Sequence, residues 1–558
     1  MKRFLLVLVS LTLGGSVLSA KDCKNELISF IKTFESKVDP AYKKAAGAAY
    51  TAKITGKESD YKKSSDLQMK LIGIYTDKDD YKKLKEIKKC ADVKKDKDLY
   101  RQLELMTNLY AANQIDPKKL EAIVKLQTEM ENRFSTFRAE VGGKKLTDNE
   151  IENILKSSTD QKQLEAVWTA SKAIGPVVAS DVKKLVLMRN DAAKELGFKN
   201  YHQMMLKLNE QDPQQIEKLF NELDTLTRPA YAKLKKEIDS ALAKNNGIPV
   251  SKLRPWHYQN RYFQEAPQIY SLDLDSYYSK SDAAKLTQDY YDGIGLDVDD
   301  IMDNSDLYEK KGKYQHACCD NIDRKQDIRV ICNITPSQRW MDTTMHEFGH
   351  AVYEEYLDQT MPWIYREPAH TFTTEAIAML FGRMASNPQW MKDMLKISEE
   401  EKTRIAETSY KILTMEQLVF SRWSQVMYRF EKSMYENPSQ DLNALWWRLV
   451  EKYQLVKKPA GRTSPDWATK IHVALYPAYY HNYLMGALLA SQLNNYVSKN
   501  TIKSSDSKNQ SYVGSKDVGQ YFKEKVFFPG RKKHWDTMIK DATGEKLTAK
   551  YYAKDFVK

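Results

Sequence analysis

The chain has 558 residues, 42% of them apolar and 29% charged, with 87 Lys and Arg against 75 Asp and Glu for a net charge of +12. This composition excludes a disordered chain, and the length exceeds what one small core can organise. The positive balance is carried mainly by lysine, without an Arg-rich stripe or nucleic-acid motif. It argues for solubility and attraction to anionic surfaces and against a nucleic-acid partner.

Residues 1–20 read as a cleavable secretory signal. Lys2 and Arg3 precede the apolar run Phe4–Leu13, and small residues follow to Ala20. The run is too short for a membrane anchor and no later stretch reaches spanning length. The expectation is an exported protein, periplasmic or secreted, with no membrane span. An oxidising compartment permits disulfides. Cys23 with Cys90 would tie down the N-terminus, Cys319 with Cys332 would close a short loop, and Cys318 is left over. The absence of CxxC pairs argues against a cysteine zinc site.

Residues 21 to about 160 are lysine-dense with helical apolar spacing, as in Leu99, Leu103, Met106 and Tyr110. Residues 160–245 continue the pattern through Leu185, Leu187, Met188 and Leu196. The clearest strand candidate is 327–334, rich in β-branched residues. From 337 to 500 the chain is again mostly helical, and 503–517, rich in Ser, Lys, Asn and Gly, reads as a surface loop. No repeat or long linker divides it. The fold expected is mostly α: one large helical unit over 21–558, with a short strand pair beside a helix at 339–358.

That helix carries His346-Glu347-Phe348-Gly349-His350. Positions four apart share a helical face, so both imidazoles can meet one zinc ion, and Glu347 beside them can take a proton from a water that the ion activates. A catalytic zinc ion keeps three protein ligands. Some twenty residues on, the stretch 371–378 reads as a helix start from which Glu375 can supply the third, with His370 as a competitor ahead of the helix. Six of the nine histidines fall between 316 and 481. His316 precedes the strand candidate, where a strand edge can bind peptide backbone. Lys470 could grip a carboxylate, and His472, Tyr480 and Tyr483 are suitable oxyanion donors. Ordinary packing is the alternative for each.

These residues together resemble the peptidase family of angiotensin-converting enzyme, the peptidyl-dipeptidases, in a single-domain form. The matching pieces are His316-Ala317, the interval from Cys332 to HEFGH, Arg366-Glu367 followed by Glu375-Ala376-Ile377, Trp446-Trp447 with Lys452-Tyr453-Gln454, and Lys470-Ile471-His472 with Tyr480 and Tyr483. The resemblance implies a two-lobed helical peptidase with a deep central cleft, lidded by N-terminal helices at roughly 21–130. It implies one zinc ion on His346, His350 and Glu375, and Glu347 as general base and then acid. Tyr483, helped by His472, would stabilise the intermediate. His316 and Ala317 would hold substrate backbone, and Lys470 and Tyr480, joined by Gln259, the C-terminal carboxylate of an oligopeptide. The product would be a C-terminal dipeptide, and the enzyme a monomer.

The chain departs from the family pattern at several positions. Met379 replaces an acid four residues after the third ligand, and Asn482 and Val450 stand where the family has chloride-binding arginines, so chloride is not expected to be required. The step from His472 to Tyr483 is one residue longer than in the family, which lets Tyr479 compete with Tyr480. Gln315 replaces a cysteine, which leaves open whether Cys318 or Cys319 partners Cys332. The alternatives are a zinc oligopeptidase or carboxypeptidase of a related helical clan, and a non-catalytic peptide-binding homologue.

Overall fold

The computed structural model describes residues 20–557. The first 19 residues, on which the secretory signal is read, lie outside that range. The chain is 69% helical, and the sheets among the described residues are two antiparallel pairs, so helix packing organises the core.

The 36-residue helix Ala20–Thr55 opens the described chain. Cys23, Leu27, Phe30, Phe34 and Val38 recur at helical spacing and are all buried. They meet Leu71, Tyr75, Leu84, Leu103, Met106 and Tyr110, and also Trp363, Ile364 and Tyr365 from the second half of the chain, in a core separate from the main one. The Cys23–Cys90 disulfide forms, as expected, and spans 67 residues of this unit. Asp77, Asp96 and Asp116 accept backbone N–H bonds at the starts of three of its helices, which breaks the lysine-rich sequence into defined segments.

A hairpin follows, β1 (Ala139–Val141) with β2 (Lys144–Leu146). Gly142 and Gly143 both have positive φ, as a two-residue hairpin turn demands. On helix Ile174–Glu195, Leu185 is fully buried and Leu187 is 57% exposed. The expected pattern is corrected there, because a step of two residues turns about 200° around a helix. The main core centres on helix Glu399–Glu436, where Trp423 and Phe430 take Trp446 edge-on.

Three helices carry the expected metal ligands, Glu347 and Tyr483: Gln338–Glu355, Thr371–Gly382 and His481–Asn500. Beside the first lies the expected strand pair, β3 (Cys318–Asn321) with β4 (Ile328–Ile331), the latter inside the strand read at 327–334. The surface loop expected at 503–517 is irregular up to its end, where helix Lys516–Phe522 begins.

Candidate metal centre and cleft

Helix Gln338–Glu355 starts where Ser337 accepts the Trp340 N–H, and it presents His346 and His350 one turn apart. Glu375 comes from helix Thr371–Gly382, whose N-cap is His370. His370 Nδ1 accepts from the Phe372 N–H and its Nε2 bonds the Asn209 carbonyl. Both ring nitrogens are engaged, which removes His370 as a competing ligand.

The packing explains why the helices meet so closely. A Cβ on Gly349 would lie 2.7 Å from the Ala378 Cα, and one on Gly486 would lie 3.0 Å from the Glu375 Cβ. Only glycine allows the Glu375 helix to be clasped from both sides (contacts under about 3.5 Å between carbons are repulsive). The result is a compact donor set. His346 Nε2 is 3.8 Å and His350 Nε2 4.0 Å from Glu375 Oε2, and the three donor atoms lie within 4.8 Å of one another. Metal–ligand bonds of about 2.0–2.2 Å in a tetrahedron separate ligand atoms by about 3.4 Å, so small side-chain adjustments close this set on a zinc ion. The protonation states fit as well. Burial holds His346 down at about 4 and His350 well below its ordinary value, so both imidazoles are neutral. The Thr374 hydroxyl, 2.7 Å from His350 Nδ1, orients that ring and supports Nε2 as the ligand atom. Thr374 does a task that Met379, lining the same cavity, cannot.

Glu347 is buried beside the triad. Burial first, then the Glu375 and Asp320 carboxylates, push it up to about 8 against the pull of Lys53. Burial lifts Glu375 to about 7. Lys53, from the first helix, pairs with Asp320 at 2.7 Å and reaches Cys318 Sγ at 3.5 Å.

The donors open on a cavity of about 950 Å³. Its wall brings together Ala317, Glu347, Lys470, His472, Tyr479, Tyr480 and Tyr483 with the triad. His316 sits outside it, exposed, with its ring against Tyr314. Among the described residues, β3 has no strand on its other edge. Lys470 donates to Gln264 at 2.7 Å, and its Nζ lies 5.9 Å from the Tyr480 ring. Burial, then Arg261, lowers Lys470 to about 8. Tyr480 accepts from Trp423 Nε1 at 2.7 Å. Tyr479 and Tyr483 pack edge to face at 5.4 Å, and burial raises both phenols. Burial, then Lys470, lowers His472 to about 4, so its ring is neutral. Its Nδ1 is buried without a partner. An unpaired acceptor costs less there than an unpaired N–H, so the proton belongs on Nε2, which is open to the cavity.

Two sequence expectations need correction. Gln259 does not face Lys470. Its Oε1 accepts from the Gln268 N–H at 2.7 Å, and it lines a neighbouring cavity, while Gln264 holds the place beside Lys470. The two glutamines are five residues apart in an irregular segment, and no periodicity tells them apart. Cys319 and Cys332 do not pair, and Cys318 is free too. Cys319 is opposite Val330, which puts Cys332 on the diagonal. Diagonal positions are about 7–8 Å apart, beyond ordinary disulfide reach.

The profile of the angiotensin-converting enzyme family matches residues 21–554. The chain belongs to the angiotensin-converting enzyme family. Its members are zinc metallopeptidases, so this protein is a zinc-family hydrolase of peptide bonds, and the His346, His350 and Glu375 set is the family's ligand chemistry. No curated protein gives a significant match. Within the angiotensin-converting enzyme fold, the two arginine departures lie in distinct settings. Asn482 is buried and accepts from Gln211 at 2.8 Å, and Gln211 also bonds His481 at 2.7 Å, a neutral cluster. Val450 is buried in the wall of a small cavity that Lys172 also lines, and Arg448 is exposed.

Proposed function

We propose that this protein is an exported, monomeric peptidyl-dipeptidase that removes C-terminal dipeptides from oligopeptides. The observation that carries the reading is Lys470, a single buried ammonium set by Gln264 in the same cavity as the metal ligands. A cation fixed at one end of a cleft grips a chain terminus, and cleavage then falls a set number of residues away. An oligopeptidase that cuts internally has no use for such a grip.

The remaining residues take roles by position. Zinc, when bound, polarises the scissile carbonyl and lowers the pKa of a coordinated water. Glu347, on the same helix as both histidines and beside the triad, takes the proton of the attacking water on its carboxylate and returns it to the leaving nitrogen. The Tyr483 hydroxyl and His472 Nε2–H donate to the oxygen on which charge develops, worth about 2.7–4 kcal/mol per donor in such sites. Ala317 and the edge of β3, whose Cys318, Cys319 and Asn321 line the cavity, align the substrate as an added strand. Tyr480, already holding Trp423, packs against Lys470 and the terminal residue. The N-terminal helices at roughly 21–130 act as the lid, with Lys53 reaching from them to the Glu347 side of the cleft.

A pair of substrates differing only in a C-terminal acid or amide tests the reading. The amide loses a charge-assisted contact of about 1.5–3 kcal/mol, so its kcat/KM falls by at least about tenfold. Equal rates on acid and amide would favour the oligopeptidase.

A further inference from the structure

His472 and Tyr483 sit on different helices, Ile471–Leu475 and His481–Asn500, joined by residues 476–480. Their relative placement depends on that connection. His472 meets the Tyr480 ring at 5.1 Å, and Tyr480 and Tyr479 each meet the Tyr483 ring at 5.4 Å. The connection bends at Ala478, which has φ +54°. A side chain in that left-handed region crowds the following carbonyl, and the conformation persists only where the surroundings hold it.

Helix Glu399–Glu436 holds the bend. Pro477 has no N–H to offer, and the Ala478 N–H that follows is buried. Glu431 Oε1 accepts it at 2.7 Å. Arg189, whose charge reaches Glu431, donates elsewhere, to the Tyr435 hydroxyl at 3.0 Å and the Ala474 carbonyl at 2.9 Å. Burial lifts Glu431 to about 8 against the Ala478 bond and the Arg189 charge. Near neutral pH it is therefore a protonated carboxyl whose carbonyl oxygen serves the backbone. Burying a carboxyl at 3% exposure is unfavourable unless it is hydrogen-bonded, and the partner it has here is the bend itself. Trp423, Glu431 and Tyr435, eight and four residues apart, share one face of their helix. That face reaches the connection at Tyr480, at Ala478 and, through Arg189, at Ala474 on the His472 helix.

We propose that Glu431 is a positioning residue, which through the Ala478 N–H sets the bend that aims His472 and Tyr483 at one oxygen. The inference rests on the reading that these two donate to the oxygen on which charge develops. It adds a residue that does not line the metal cavity. Lys470 and Tyr480 have anchors of their own in Gln264 and Trp423. Loss of Glu431 therefore reaches the reaction step more than substrate binding.

The test is a double-mutant cycle on the full-length zinc-loaded enzyme with an N-terminally blocked tetrapeptide. Its members are Glu431→Met, Tyr483→Phe and the two combined, with zinc content and melting temperature checked for each. Tyr483→Phe should lower kcat by about 10²-fold. Glu431→Met should lower kcat by at least about tenfold while KM stays within about twofold, the mark of an interaction made in the transition state. In the Tyr483→Phe background the same change should cost at most about threefold, because the donor it positions is already gone. Glu431→Gln keeps an acceptor oxygen for the Ala478 N–H and should retain kcat within about threefold. An equal fold-loss in both backgrounds would mark a general structural role and overturn the inference. So would wild-type kcat in a folded Glu431→Met enzyme, and a glutamine variant as slow as the methionine one would overturn the assignment to the Ala478 bond. Unchanged kcat in Tyr483→Phe overturns the underlying oxyanion reading, and the inference falls with it. Should Glu431→Met fail to fold, Glu431→Asp, one methylene short of the Ala478 N–H, takes its place in the same cycle.

Discussion

Replacing Gly349 by alanine adds one methyl group where the metal helix crosses the Glu375 helix. The new Cβ would lie 2.7 Å from the Ala378 Cα, 3.1 Å from its nitrogen and 3.3 Å from the Ile377 oxygen, all backbone atoms that cannot rotate away. Comfortable carbon–carbon contact is about 3.5–4.0 Å, so the helices must part by about 1 Å. The ligand atoms now stand 3.8 and 4.0 Å from Glu375 Oε2, and metal–ligand distances tolerate only about 0.2 Å. The expected result is zinc affinity weakened by at least about tenfold, or about 1.4 kcal/mol. Stability of the metal-free protein should also fall. Overpacking costs about 1–3 kcal/mol, while alanine gains about 0.5–1 kcal/mol over glycine within a helix. Competitive titration with a chromophoric chelator reads the first effect, and denaturant unfolding in excess chelator reads the second. Wild-type zinc affinity with a more stable metal-free protein would refute the reasoning, because propensity alone would then be acting.

Three further outcomes follow from the same geometry. Glu347→Gln keeps all three ligands and should retain one zinc ion per chain while losing about 10²–10⁴-fold in turnover, checked by metal analysis alongside kinetics. Lys470, lowered to about 8, is charged below that pH and neutral above it. The kcat/KM for a free-acid peptide should therefore fall as pH rises through about 8 while that for the amide does not, and parallel profiles would exclude the carboxylate grip. Chloride should matter little, since Asn482 is bonded to Gln211 and Val450 carries no charge. The check is a chloride titration against acetate at constant ionic strength, and saturable chloride-specific activation would contradict it.

The sequence was most readable where the chemistry is local. HEFGH places both imidazoles through helical period alone, and Glu375 follows on the next long helix, so the ligand set needed no tertiary knowledge. The strand at 327–334 was visible from its β-branched run, but its partner β3, with Cys318 and Cys319, has no such pattern and depends on register. The hairpin at Gly142–Gly143 carries a Gly-Gly turn signal inside a lysine-dense stretch whose spacing is otherwise helical. Gln264, Thr374 and the Lys53–Asp320 pair were beyond reach for another reason. Each acts through a contact set by packing, in the last case between residues 267 positions apart. Cys319 with Cys332 looked right by spacing in the chain and failed on a diagonal in the sheet.

The most direct measurement is mass-spectrometric identification of the products from an N-terminally blocked tetrapeptide with a free C-terminus, with and without a zinc chelator. The expected result is the blocked dipeptide and the free C-terminal dipeptide as the first products, abolished by chelation and restored by zinc. Stepwise release of single amino acids, internal cuts indifferent to the terminus, or full activity in the presence of chelator would contradict it.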